Sequence, residues 1–119
     1  MGIMKAFIRV MKALSDPNRV KMVKMLQFRP FCVCEIKEAL GIAQSTASKH
    51  LKILEDAELV KSVKDGLWVN YSLSDGSGSP YSAHMIGSLK HWLDNESEIR
   101  VLVQTLSGID RHEIVGKSG

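Results

Sequence analysis

The sequence predicts a mainly α fold carrying a small β-hairpin, and three observations lead there. Four successive segments between residues 3 and 58 place apolar residues at helical spacing. An Asp65-Gly66 pair then stands between alternating apolar residues, a strong hairpin signal. A last apolar-periodic segment follows a stretch rich in Ser and Gly. The chain has 119 residues, enough for a single modest core. One domain is expected over residues 1–106, with a flexible tail over residues 107–119.

The first helix is expected over residues 3–14, with Ile3, Phe7, Val10, Met11 and Leu14 on one side and Lys5, Arg9 and Lys12 on others. Ser15-Asp16-Pro17 supplies a capping side chain and a proline suited to a first turn. The second helix should therefore run from Pro17 to Leu26 and bury Val20, Val23 and Leu26. Arg29-Pro30 interrupts the pattern. A short third helix follows from Cys34 to Leu40, stopped by Gly41. The fourth spans Gln44 to Glu58, with Ala47, Leu51, Leu54 and Ala57 inside. Leu59–Val63 and Leu67–Leu73 read as strands around Lys64-Asp65-Gly66. Ser74 to Pro80 reads as a linker. One long helix is expected from Tyr81 to Leu106, with Tyr81, Met85, Leu89, Trp92, Ile99 and Val103 apolar.

Charge is unevenly spread. Residues 1–72 carry 12 basic and 7 acidic side chains, whereas residues 73–119 carry 4 and 6. A basic front half suits a nucleic-acid partner. No apolar run is long enough for a membrane helix and no signal-peptide core follows Met1, so a cytoplasmic protein is expected. Ala6 stands where a myristoylation signal needs Ser or Thr. No nucleophile elbow, phosphate loop or paired-histidine metal motif is present, so an enzyme is not expected.

Short helix, tight turn at Gly41-Ile42-Ala43, longer helix and hairpin together make a winged helix-turn-helix, in the order helix–helix–helix–helix–strand–strand–helix. The fourth helix has an apolar back and an opposite face of short polar and basic residues that can enter a major groove. Gln44, Ser45, Thr46 and Ser48 can approach base edges and phosphates. Lys49, His50 and Lys52 add donors, and Lys61 and Lys64 sit on the wing. A protein-binding module is the competing class, and the basic face argues against it.

The segment Gly41-Ile42-Ala43-Gln44-Ser45-Thr46-Ala47-Ser48-Lys49-His50-Leu51-Lys52-Ile53-Leu54 resembles the recognition segment of the ArsR/SmtB family of metal-sensing repressors. The lead-in Ala13-Leu14-Ser15-Asp16-Pro17-Asn18-Arg19 and the wing Gly66 to Leu73 are similar to the same family. The resemblance covers residues 10–74 and is closest to the arsenic-responsive type. It implies a homodimer joined through the first and last helices, bound to a partly palindromic operator on double-stranded DNA and released by an inducer. Ala43 departs from the family's frequent capping Ser or Thr, at a cost of about 1 kcal/mol in helix stability.

Cys32 and Cys34 are the second informative feature. In a regular helix, positions i and i+2 lie about 200° apart, so both sulfurs converge only where the backbone is non-helical. Pro30 makes such an irregular start reasonable. Cys34, near a helix N-terminus, is expected to be acidified, which favours soft, thiophilic ions. Two cysteines in a reducing compartment argue against a structural disulfide, and a Cys32–Cys34 ring would be strained.

This stretch resembles the metal-binding box of arsenic- and cadmium-responsive members. The resemblance implies arsenite or antimonite as inducer at Cys32 and Cys34, with another soft metal or thiol oxidation as alternatives. Lys37 occupies the position of the third box cysteine of arsenic sensors, and no cysteine precedes Cys32. The family's zinc sensors bind through Asp-x-His on the last helix. His84 and His91 lack that context, and Asp110-Arg111-His112 is followed by too few residues for the second half of the motif. Trp68 and Trp92 are expected to pack rather than to stack on bases.

Overall fold

Asp16 opens the arrangement by fixing the second helix. In a computed structural model, which describes residues 2–110, its carboxylate accepts from the backbone N–H groups of Asn18 at 2.8 Å and Arg19 at 3.2 Å. Helix α1 (Ile3–Ala13) precedes this cap and α2 (Pro17–Leu26) follows it, with Pro17 in its first turn as expected. Val10 and Ala13 bury the inner side of α1, and Phe7 meets Tyr81 edge to face. In α2, Val23 and Leu26 are buried as expected, joined by Met22, Met25 and the unforeseen Lys24, while Val20 is half-buried.

A two-residue strand, β1 (Phe31–Cys32), comes next and was not expected. Helix α3 (Val33–Leu40) starts one residue before Cys34 and ends at Gly41, whose φ of 67° is the left-handed stop that glycine allows. Helix α4 (Gln44–Asp56) buries Ala47, Leu51 and Leu54, with Ala57 just beyond it. It ends two residues earlier than expected because Glu58 turns left-handed, at φ 62°. Ala43 offers no side-chain cap.

Strands β2 (Val60–Asp65) and β3 (Trp68–Leu73) pair antiparallel from Val60 with Leu73 to Asp65 with Trp68. The hairpin loop is thus Gly66-Leu67, one step beyond the expected turn, with Gly66 at φ 62°. β1 adds to the other edge of β3, Phe31 opposite Tyr71 and Cys32 opposite Asn70, giving the order β1-β3-β2.

The expected single helix from Tyr81 to Leu106 is broken. It forms α5 (Pro80–Leu89), capped by the Ser79 hydroxyl, and α6 (Ser97–Leu106). The cause is tertiary. The buried Lys24 ammonium donates to the carbonyls of Leu89 at 2.7 Å and Trp92 at 2.8 Å, and to Asp94 Oδ1 at 2.6 Å. A buried ammonium needs such oxygens, and Leu93 turns to φ 70° as the chain supplies them. The phase of the apolar stripe shifts accordingly. Leu89 and Ile99 are buried, Tyr81 and Met85 half-buried, and Trp92 and Val103 exposed, while Ile86, Leu102 and Leu106 turn inward.

One cluster of buried side chains joins α1 through α6. Of the residues expected in the tail, Ile109 packs against this core and its carbonyl accepts from Arg29 Nη2 at 3.1 Å. Residues 111–119, including His112, lie outside the described residues.

Candidate nucleic-acid interface and thiol site

Burying Ala47, Leu51 and Leu54 turns the opposite face of α4 outward. Gln44, Ser45, Thr46, Ser48 and Lys49 are all exposed on it. Lys52 is exposed too, but its ammonium is held by Asp56 one turn later at 3.0 Å, which raises its pKa. On the wing, Lys61 and Lys64 both lie on β2 and are exposed, and Leu67 projects at the tip almost fully exposed.

His50 behaves differently from the other residues expected to meet DNA. It is half-buried and faces α2: Nδ1 lies 3.0 Å from Arg19 Nη1, and Nε2 lies 4.0 Å from Asp16 Oδ1. The contacts fit an imidazole accepting at Nδ1 from the guanidinium. Arg19 also donates from Nε to Ala13 O at 2.7 Å and from Nη2 to Lys12 O at 3.3 Å. One arginine thus clamps the end of α1, the start of α2 and the middle of α4. The lead-in motif had no structural meaning on sequence grounds beyond its cap.

At the thiol site, Cys32 is the N-cap of α3 with extended backbone (φ −81°, ψ 165°), and Cys34 lies in the first turn. The non-helical conformation expected for convergence is present at Cys32, and the Cys34 thiol stands close enough to influence the Cys32 pKa. Both cysteines are free. Cys32 is 2% exposed and Cys34 half-buried. Burial first, then the neighbouring Cys34 thiol, push the Cys32 thiol up to about 12, while the Glu35 backbone N–H opposes the rise. At Cys32, therefore, burial governs acidity.

Glu35, which sequence reasoning passed over, braces the turn. Its Oε1 accepts from the Cys32 backbone N–H at 2.9 Å while the Cys32 sulfur faces the Glu35 N–H, a capping box with Cys in place of Ser or Thr. Cys32-x-x-Glu35 was the available signal. Glu35 is buried, and its Oε2 lies 3.4 Å from Arg29 Nη2, whose guanidinium also stacks 3.8 Å over the Phe31 ring. Among the described residues no three His, Cys, Asp or Glu side chains converge on a metal position. His84 and His91 are exposed on and just after α5.

A short helix, a glycine turn, an outward-facing second helix and a two-stranded wing define a winged helix-turn-helix protein. The comparisons agree. The model for "Bacterial regulatory protein, arsR family" matches residues 16–62. An arsenical resistance operon repressor of Escherichia coli is 30% identical over 101 residues, 84% of each chain. One from Bacillus subtilis is 36% identical over 74 residues, covering 61% of this chain and 70% of its own. A homodimeric winged helix-turn-helix DNA-binding domain from Mycobacterium bovis superposes with a TM-score of 0.63 at 24% identity, over 73% of this chain and 77% of that one. The chain belongs to the arsR family of bacterial regulatory proteins, whose relatives here are transcriptional repressors rather than enzymes.

Proposed function

We propose that this protein is a metalloid-responsive repressor that binds operator DNA as a homodimer and lets go when trivalent arsenic or antimony bridges Cys32 and Cys34. The observation that carries the reading is the placement of two free cysteines at the N-cap and first turn of α3, the helix directly before the recognition helix. Arsenous acid is neutral. Each As–OH it loses leaves as water with the proton of one thiol, so two As–S bonds form, two waters depart and one As–OH remains. A Cys32 thiol that burial keeps protonated suits this condensation. A divalent cation must instead expel those protons, which disfavours cadmium or zinc at Cys32.

The site is placed to act on both DNA-reading parts. Cys32 is the N-cap of α3 and is also paired with Asn70 in β3 of the wing. Drawing its sulfur onto an ion with that of Cys34 strains the α3 cap and the sheet together. A tenfold loss of operator affinity needs only about 1.4 kcal/mol of such coupling. Gln44, Ser45, Thr46 and Ser48 would meet the major groove, with Lys49, Lys52, Lys61 and Lys64 on phosphates. The dimer would form over α1 and the neighbouring α5, where Ile3, Met4, Phe7 and Ile8 stay exposed on this protomer. Such a regulator works in the cytoplasm, where the thiols stay reduced.

The test is fluorescence anisotropy of an operator fragment under reducing conditions, titrated with arsenite, antimonite, cadmium and zinc. Release by arsenite and antimonite, abolished in Cys32→Ser and Cys34→Ser, is expected. Tight binding indifferent to all four, but released by peroxide, would replace the metalloid with thiol oxidation.

A further inference from the structure

The break between α5 and α6 leaves an open groove of about 560 Å³ against the C-terminal end of α2, far along the chain from the DNA-reading face. Its size falls within the range of roughly 300–1,000 Å³ that small-molecule sites occupy. Phe28, Ile99 and Val103 give it an apolar lining, and Phe28 is 60% exposed there with no aromatic partner among the described residues. Lys90 and Arg100 stand on the same groove. The one carboxylate among its lining residues, Asp94, is already taken up by the Lys24 ammonium at 2.6 Å, so the charge left over is positive.

Gln27 supplies a second, independent observation. It lines the groove, and its Nε2 is the one buried side-chain nitrogen or oxygen among the described residues left without a hydrogen-bond partner. A buried donor in that state costs about 1–3 kcal/mol, and native proteins rarely leave one so. With almost no surface accessible to solvent, Nε2 meets an acceptor from the groove only once the Gln27 side chain turns toward it. We propose that this groove binds a small organic anion with an apolar body, its carboxylate toward Gln27 and the Lys90 and Arg100 cations and its hydrocarbon or ring against Phe28, Ile99 and Val103. Such a ligand bridges α2 to α6 and stiffens the Lys24-held hinge. It forms a second effector site, independent of the thiols.

The test is a ¹H–¹⁵N NMR titration of the full chain with hexanoate and benzoate, against hexanol and benzamide as neutral partners. Both acids should shift the Gln27 side-chain amide and the backbone signals of Phe28, Ile99 and Val103, in wild type and Cys32→Ser alike. The neutral analogues should bind more weakly. Lys90→Gln and Arg100→Gln, at exposed positions, should each weaken the acids about twofold to fivefold, as expected for an exposed ion pair. Equal binding of acids and neutral analogues would overturn the proposal, as would shifts that spare Gln27. Shifts at these residues that follow protein concentration without ligand would assign the groove to a second copy of the chain instead.

Discussion

The Lys24 ammonium reaches Asp94 across 70 residues of sequence, at 2.6 Å, and on the way takes the carbonyls of Leu89 and Trp92. All three of its donors are used, so the charge is tolerable in a side chain only 2% exposed. Lys24→Met keeps the volume but strands two carbonyls, and it should cost about 2–4 kcal/mol in urea unfolding. Asp94→Asn should cost less, about 1 kcal/mol, because the Asp94 side chain is 60% exposed. Equal stability of Lys24→Met and wild type would show that α5 and α6 can part without the ammonium.

Lys49 and His50 are neighbours with opposite duties. Lys49 is exposed on the outer face of α4, which the proposed function turns toward DNA, whereas His50 is clamped by Arg19. Lys49→Ala should leave stability within about 0.5 kcal/mol of wild type and lower the salt dependence of operator binding by about one phosphate contact. His50→Ala should lower stability by about 1 kcal/mol without changing that salt slope. Anisotropy titrations over a range of salt, beside urea melts of both variants, separate the two roles.

Local pattern made most of the architecture readable. The inner stripe of α4, the Asp16-Pro17 start of α2 and the glycine stop of α3 are set by neighbours in sequence, and all three stand where periodicity and capping put them. The misses share one cause: partners far away in the chain. β1 has two residues and exists because β3 lies about 40 residues on to pair with it. Nothing between Tyr81 and Leu106 forbids a continuous helix except Lys24, on another element. Leu93-Asp94-Asn95 held only a faint hint, as Asp and Asn favour helix ends. Apart from the misses, the contact of His50 with Arg19 also depends on a partner 31 residues away.

Gly41 separates α3 from α4 at φ 67°, and a Cβ built there would meet nothing within 4 Å. Gly41→Ala should therefore show backbone strain without steric clash, about 1–2 kcal/mol in urea unfolding. Operator affinity of the folded variant should stay close to wild type. A much larger loss of stability would mean that the turn cannot relax without moving α4.

The Cys32 thiol, raised to about 12 from an ordinary value near 9.0, ties stability to alkaline pH. Its neutral form is the one the folded protein favours, so its contribution is complete below pH 9, where folded and unfolded chains both hold the proton. Above pH 9 the unfolded chain ionises first, and stability falls as pH climbs toward 12, by at most about 1.4 kcal/mol per unit from this group. Lysines and tyrosines titrate in the same range, so the informative quantity is the difference between wild type and Cys32→Ser, measured by urea unfolding at about pH 8, 8.5, 9 and 10. Wild type should lose more stability than Cys32→Ser between pH 9 and 10, while the two run parallel from pH 8 to 8.5. The same burial should make Cys34 alkylate well before Cys32 when the native protein meets iodoacetamide at pH 8. Parallel stability curves up to pH 10, with both cysteines alkylating at one rate, would mean that the turn at Cys32 opens to water far more readily than its buried position indicates.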